Sequence, residues 1–284
     1  MLNPKEFDHI IHLALVEDAH DMDITTNFLI PAKHISDAYI EAREAGILCG
    51  LDIVQRLFKK LDPKMHFKAN FNDGDKITAH DKLLELKGKT RAILTGERTA
   101  LNFLCHLSGI ATNTNHFVQA INPYPAQILS TRKTTPSLRK LEKYAVRCGG
   151  GVNHRLNLKE MILIKDNHRE IYHGKIPLPE AILKFKKVHK EPICVEVDTL
   201  EQFHDVLPTH PNIILLDNMT LVQMKQAVKI RNRMNPQKKP LLEASGGVNL
   251  KTVRNIAKTG VDRISIGSLT HTHKALNLSM EVIR

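Results

Sequence analysis

The chain has no tryptophan, and aromatic residues make up only 5% of its 284 positions. That scarcity leaves few platforms on which the bases of a single-stranded nucleic acid can stack. Its four cysteines, Cys49, Cys105, Cys148 and Cys194, are widely spaced and include no CxxC pair. Such spacing argues against a disulfide framework or a structural zinc and suits a reducing compartment. No apolar run reaches bilayer-spanning length. Lys5, Glu6, Asp8 and His12 interrupt the N-terminal stretch, which does not read as a signal peptide. Low-complexity segments, long linkers and sequence repeats are also missing. The expectation is a soluble, cytoplasmic protein with no membrane partner.

What is present points to a folded chain with an acidic partner. Hydrophobic residues make up 42% and charged residues 25%, a globular rather than a disordered balance. At 284 residues the chain is near the size where one domain divides into two. Its formal charge of +11 favours phosphorylated metabolites, nucleic acid or anionic lipid. Zinc-finger and basic-zipper spacings are absent, so nothing beyond charge supports nucleic acid.

Two textures divide the chain. Phe7, Ile10, Ile11, Ala14 and Leu15 follow Pro4 at helical spacing and predict an amphipathic first helix. Residues 38–43 read as a strand. Met65, Phe67, Ala69 and Phe71 alternate with polar residues as a half-buried strand does, and LLELKG starts another beyond the turn at Asn72–Gly74. These short strands predict an antiparallel sheet in a first domain, residues 1–110, to which the tail 275–284 returns. A long helix is expected from Glu97, bridging to a second domain at 111–274. Arg98 near that helix start opposes the macrodipole at a cost of some tenths to ~1 kcal/mol. Either it is simply solvated, or it reaches out to an anion.

After Pro125 strand-like runs recur near 127–132, 161–165, 193–198, 213–217, 241–245 and 263–267, with helical patterns between them. Runs such as IILLD and ILI are apolar on both faces, as in buried parallel strands. The alternation predicts an α/β architecture, a (β/α) barrel or doubly wound sheet, with function at the C-terminal strand ends.

Ionisable groups gather at those ends. TRKT, GGGVNHR and IKDNH crowd cations into residues 129–168, as a pocket for a multiply charged anion would. Asp, Asn, Ser and Gly at strand ends often cap helices or form turns, and Asp217 alone reads first as a cap. Arg132, Lys165 and Glu196 are poor caps. Glu196 and Asp198 share one strand face, where they would hold sugar hydroxyls or a phosphate-bound Mg2+; a structural ion pair between Glu196 and Lys165 is the competing account. Ser245, Gly246 and Gly247, before a helix expected at Asn249, and Gly267 with Ser268 one unit later, are small enough for backbone amides to approach an anion. Gly149–Gly151 read first as a helix C-cap that delivers His154 and Arg155.

In chain order, GERTALN, STRKT, RCGGGVNHR, IKDNH, VEVDTLEQ, LLDNM, LEASGGV and ISIGSLTH, with EDxxxxDITT from Glu17 and AGILCGL from Ala45, resemble the quinolinate phosphoribosyltransferases over nearly the whole chain. The resemblance implies an N-terminal α/β sandwich and a C-terminal seven-stranded α/β barrel, one strand more than the periodicity finds. It implies the de novo NAD pathway reaction, in which quinolinate and phosphoribosyl pyrophosphate give nicotinate mononucleotide, pyrophosphate and CO2 with Mg2+. It implies a homodimer in which Arg98 enters the neighbouring site. There, Arg98 from the partner and Arg132, His154, Arg155 and Lys165 would meet the dicarboxylate, and Lys133 the pyrophosphate. Glu196 and Asp217 would hold ribose hydroxyls and Mg2+. Thr131, Ser245, Gly246, Gly247, Ile266, Gly267 and Ser268 would complete substrate binding, with Lys165, Glu196 and Asp217 the catalytic set. Met22, Thr272, His273 and Asn277 depart from the family pattern away from these positions. A related family associated with molybdenum transport shares the fold, but the intact TRKT, NHR and IKDNH set weighs against it.

Overall fold

A computed structural model describes residues 7–172 and 176–283. Its elements run α1 (Asp8–Glu17), α2 (Ile24–Leu29), β1 (Ile35–Ala42), β2 (Gly46–Ile47), α3 (Leu51–Leu61), β3 (His66–Ala69), β4 (Lys76–Ile77), β5 (Lys82–Lys89) and α4 (Thr90–Ala120). Then come β6 (Gln127–Leu129), α5 (Arg139–Cys148), β7 (Ile162–Ile164), α6 (Asp166–Ile171), α7 (Leu178–Val188), β8 (Ile193–Val197) and α8 (Leu200–Val206). The chain ends with β9 (Ile213–Asp217), α9 (Leu221–Asn232), β10 (Leu241–Ser245), α10 (Val253–Ala257), β11 (Arg263–Ser265), α11 (Ser268–His271) and β12 (Leu278–Ile283).

The first compact unit comprises Met1–Asn115, Thr135–Gly150 and Thr272–Arg284. Helix α5 therefore clusters with this unit, although its sequence continues the alternation of the second. Phe7, Ile11 and Leu15 bury one stripe of α1; Pro4 lies outside the described residues. The antiparallel sheet has the order β12-β1-β5-β3, with the C-terminal strand paired to β1 from Ala42↔Leu278 to Asp37↔Ile283. Ser36, Ala38 and Ile40 alternate into the core, as a sheet with one wet face requires. At the edge strand β3 only Phe67 is half-buried, so the expected alternation there is shallow.

Helix α4 begins at Thr90, directly after β5, so Arg98 lies inside the helix and is exposed. The macrodipole argument for Arg98 therefore fails. Gly96, which stood at the expected boundary, is an interior residue that permits close packing. A Cβ there would meet Phe58 and Leu61 side chains at 2.7 Å. The true start is fixed by Thr90, whose hydroxyl lies 2.7 Å from both Ser36 Oγ and His34 Nδ1.

The second unit, His116–Thr134 and Gly151–His271, holds a parallel sheet in the order β6-β11-β10-β9-β8-β7. This is the C-terminal barrel. Strands β8 and β9 are buried almost throughout, whereas β7 is half-buried along its length. The expectation that ILI is buried on both faces fails because β7 is the last strand in the order. Val152 forms a single parallel bridge to Leu129 on the other flank of the sheet, with Val152 N donating to Ile128 O at 2.8 Å. That bridge is the rudiment of a seventh strand. Glycines before it and Asn153 after it leave one β-branched residue to pair, a length that periodicity cannot detect.

Candidate active site

A cleft of about 750 Å3 opens at the C-terminal ends of the parallel strands. Followed through the sheet order, the groups at the strand ends form a sequence. Arg132 and Lys133 follow β6, Gly267 and Ser268 follow β11, and Ser245–Gly247 end β10; Asp217 ends β9, Glu196 lies on β8 and Lys165 follows β7. His154 and Arg155 follow the Val152 bridge and line the same cleft. Thr131 and Ile266 are also in the lining. Every candidate residue of the second unit except Asp198 is thus in one cavity. Arg98, on α4 in the first unit, is not among its lining residues.

Local bonding fixes the TRKT loop. Lys133 N donates to Thr131 Oγ1 at 3.0 Å, and Thr270 Oγ1 donates to Lys133 O at 2.6 Å. Gly267 lets this loop approach β11, since a Cβ there would meet Lys133 Cδ at 2.9 Å. Across the sheet, Lys165 Nζ lies 3.3 Å from Glu196 Oε2, and Asp166 N donates to Glu196 Oε1 at 3.3 Å. Glu196 is 5% exposed and Lys165 exposed, so a buried carboxylate supports a cation that faces the cleft. The expected ion pair with Lys165 is present, and Glu196 also lines the cleft. Asp198 does not join it. Arg169 takes Asp198 at 2.6 Å, and Asp198 is outside the lining.

Arg155 donates through Nη1 to Met161 O at 3.0 Å. Its guanidinium is held below the ordinary arginine range by burial first and by the nearby Arg132 second. Two guanidiniums that repel each other beside a cleft favour an anionic ligand between them. His154, expected to meet an anion, lines the cleft with its ring close to two neighbouring groups. Its Nδ1 accepts from Arg155 N at 2.8 Å, and its Nε2 lies 3.4 Å from Glu243 Oε1. With Nδ1 acting as acceptor, the ring proton resides on Nε2 and faces the carboxylate.

Glu243 was missed in the sequence. It lies wholly buried on β10, accepts from Ser265 Oγ, and lines the cleft. Burial pushes its carboxyl up to about 7, against the pull of Ser265 and Arg263. The signal was one carboxylate within LLEAS, a strand whose neighbours are apolar.

The Ser245–Gly247 loop needs glycine for two reasons. Gly246 has φ +94° and Gly247 φ +58°, and a Cβ on Gly246 would collide with Asn218, including its backbone N at 2.9 Å. Nothing lies within 4 Å of a Cβ on Gly247, which leaves open space for a ligand. The helix expected at Asn249 starts only at Val253 and has five residues. The anion cradle is therefore the loop rather than a helix N-terminus. Asn249 instead forms a turn, receiving Thr252 N on its carbonyl at 3.1 Å.

An α/β barrel with cations, glycine loops and carboxylates in succession around one rim is the class of site that suits a multiply charged, phosphorylated substrate. Comparison with known proteins gives the family. The description "Quinolinate phosphoribosyl transferase, N-terminal domain" matches residues 23–108, and "Quinolinate phosphoribosyl transferase, C-terminal domain" matches 110–281. The chain belongs to the quinolinate phosphoribosyltransferase family. It is 41% identical over 272 residues to a probable carboxylating nicotinate-nucleotide pyrophosphorylase of Synechocystis, covering 95% of this chain and 90% of the relative. Identity to the Mycobacterium leprae carboxylating nicotinate-nucleotide pyrophosphorylase is 39%, covering 99% and 100%. The solved structure of NadC from Streptococcus pyogenes superposes with a TM-score of 0.92 at 38% identity, covering 100% of this chain and 98% of that one.

Proposed function

We propose that the protein transfers phosphoribosyl from phosphoribosyl pyrophosphate to quinolinate with loss of CO2, giving nicotinate mononucleotide and pyrophosphate for de novo NAD synthesis. The observation that carries this reading is the order of groups around the rim. Arg132, Arg155 and Lys165 offer fixed cations for two carboxylates on one ring, and arginine binds carboxylate in a bidentate fork. Ser245–Gly247, Gly267 and Ser268 on neighbouring strands take phosphate, and Lys133 beside them takes pyrophosphate. Glu196 and Asp217, on paired strands, take the ribose hydroxyls. His154 is the pocket wall that Glu243 orients.

In this arrangement the pyridine nitrogen displaces pyrophosphate at the anomeric carbon through a cation-like transition state, stabilised by Glu196 and Asp217. The cationic ring nitrogen of the product then stabilises the electron pair left on the neighbouring ring carbon as the adjacent carboxylate leaves as CO2, and that carbon takes up a proton from solvent. No general base is needed. The oxygens of Glu196 and Asp217 fit Mg2+, a hard cation that binds through one or two carboxylates, waters and substrate phosphates. Glu196 and Asp217 would hold it there, where it would supply positive charge against the pyrophosphate.

Arg98 completes the proposed site from a second copy of the chain. It is exposed on α4, and Ile24, Phe28 and Leu29 of α2 are 82%, 86% and 65% exposed, an apolar face of the kind that subunits cover. Arg98→Ala and Lys165→Ala homodimers should each be nearly inactive. Their mixture should recover toward half of wild-type activity per heterodimer, which holds one intact site. No recovery after confirmed subunit exchange would remove Arg98 from the neighbouring site. The reaction itself is tested with carboxyl-labelled quinolinate. Labelled CO2 should appear only with phosphoribosyl pyrophosphate and Mg2+ present, and release without the sugar phosphate would overturn the reading.

A further inference from the structure

Away from the cleft, the first unit gathers two thiols, a carboxylate and a phenol that the proposed reaction does not use. The ligand atoms of Cys49, Asp73 and Cys148 all lie within 4.8 Å of one another, which no other group of three such residues achieves among the described residues. Each is fixed by its own partners. Cys49 N donates to Ser108 Oγ at 3.0 Å, and Ser108 Oγ donates back to Cys49 O at 3.2 Å. Asp73 Oδ1 accepts from Gly50 N at 2.9 Å and Leu51 N at 3.1 Å, at the start of α3. Asp73 Oδ2 accepts from the Tyr144 hydroxyl at 2.9 Å. Cys148 is the last residue of α5, where the carbonyl end of the helix favours a cation.

We propose that Cys49, Asp73 and Cys148 form a site for one thiophilic divalent cation of the Zn2+ class, fastening the start of α3 to the end of α5. Tetrahedral binding with metal–sulfur and metal–oxygen distances of about 2.3 and 2.0 Å separates ligand atoms by roughly 3.5–3.8 Å. The cluster needs to contract by at most about 1.3 Å, from 4.8 Å, to reach that geometry. The donors around Asp73 are the orienting shell that a metal-bound carboxylate requires. Cys49 is buried and Cys148 partly exposed, which gives a route of entry and leaves a fourth position for water. Thiolates select this cation class over the hard Mg2+ suited to Glu196 and Asp217. Binding releases the two thiol protons to solvent and changes no oxidation state.

The test uses the full chain, reduced and stripped by a chelator, titrated anaerobically with Zn2+ against a chromophoric indicator. One Zn2+ should bind per chain at this site. Cys148→Ser and Cys49→Ser should each weaken it more than about a hundredfold, beyond the loss seen for orienting residues. A Glu196→Gln, Asp217→Asn double variant should retain it. Zn2+ should raise the melting temperature of wild type and not of Cys148→Ser. Co2+ bound to the wild type should show a thiolate-to-cobalt charge-transfer band, which decides the matter even where a cysteine variant fails to fold. Absence of that band overturns the proposal, as does uptake insensitive to Cys148→Ser. A Cys49–Cys148 disulfide in the intact mass, with no uptake by the reduced chain, would do the same and assign the pair to redox chemistry.

Discussion

On the antiparallel sheet, Arg43 sits 2.7 Å from Glu41 and 2.6 Å from Glu281, Lys68 2.8 Å from Glu85, and Lys87 3.1 Å from Asp37. At the ends of the parallel strands, Arg132 and Lys133 form no ion pair among the described residues, and Arg155 is pressed toward Arg132 by the fold. The residue types are the same, but the antiparallel register places opposite charges across from each other, as Asp37↔Lys87 does. Parallel strands instead lead into one rim, where Lys165 finds Glu196 but Arg132 and Arg155 repel each other. Holding like charges together costs stability, and a bound anion offsets that cost. Charge that the fold leaves unneutralised is therefore the better guide to function.

The largest effect should come from Glu196, the buried carboxylate paired with Lys165. Glu196→Gln removes charge stabilisation that strengthens in the transition state, so turnover should fall ~10²-fold or more with the quinolinate KM little changed. Steady-state kinetics check this. Full activity in both Glu196→Gln and Asp217→Asn would make the two carboxylates structural.

Next in size is Arg155→Ala. One charge-assisted contact is worth ~1.5–3 kcal/mol, so the quinolinate KM should rise roughly 10- to 100-fold while that for phosphoribosyl pyrophosphate stays nearly constant. Equal loss for both substrates would move Arg155 out of the dicarboxylate end.

Glu243 sharpens the contrast through pH. Its carboxyl is raised from 4.5 to about 7, so between those values the folded chain holds a proton that the unfolded chain has lost. The stability it contributes is whole below pH 4.5 and lost as pH rises through about 7, a swing on the order of 1–3 kcal/mol. Denaturant unfolding of wild type and Glu243→Gln should show the wild-type advantage shrinking by that amount between about pH 5 and pH 8. A difference that stays flat would mean that Glu243 is ionised across the range.

How far the sequence foretold this structure depended on the length of each signal. Strands β8, β9 and β10 were visible because five-residue stretches dominated by apolar residues stand out, and the rim cations because Arg and Lys are poor caps. The start of α4 was hidden by Gly96, whose role lies in its contact with Phe58 and Leu61 rather than in breaking a helix. Val152 was hidden because one residue has no period. His154 read only as an anion contact because its buried neighbour Glu243, 89 residues on, meets it only after folding. Widely spaced cysteines argued against a metal cluster, yet folding brings Cys49 and Cys148 to the same carboxylate.

The smallest effect belongs to the antiparallel sheet. Lys87 and Asp37 are 59% and 53% exposed, so water and salt screen their attraction, and ordering two flexible side chains costs entropy. Lys87→Ala should lower unfolding stability by no more than ~0.5 kcal/mol, and less as salt is added. Activity should be unchanged, because the pair lies on β1 and β5 of the first unit while the cleft belongs to the second. A loss above ~1.5 kcal/mol, or a change in the quinolinate KM, would break the distinction between charges that register neutralises and charges that await a ligand.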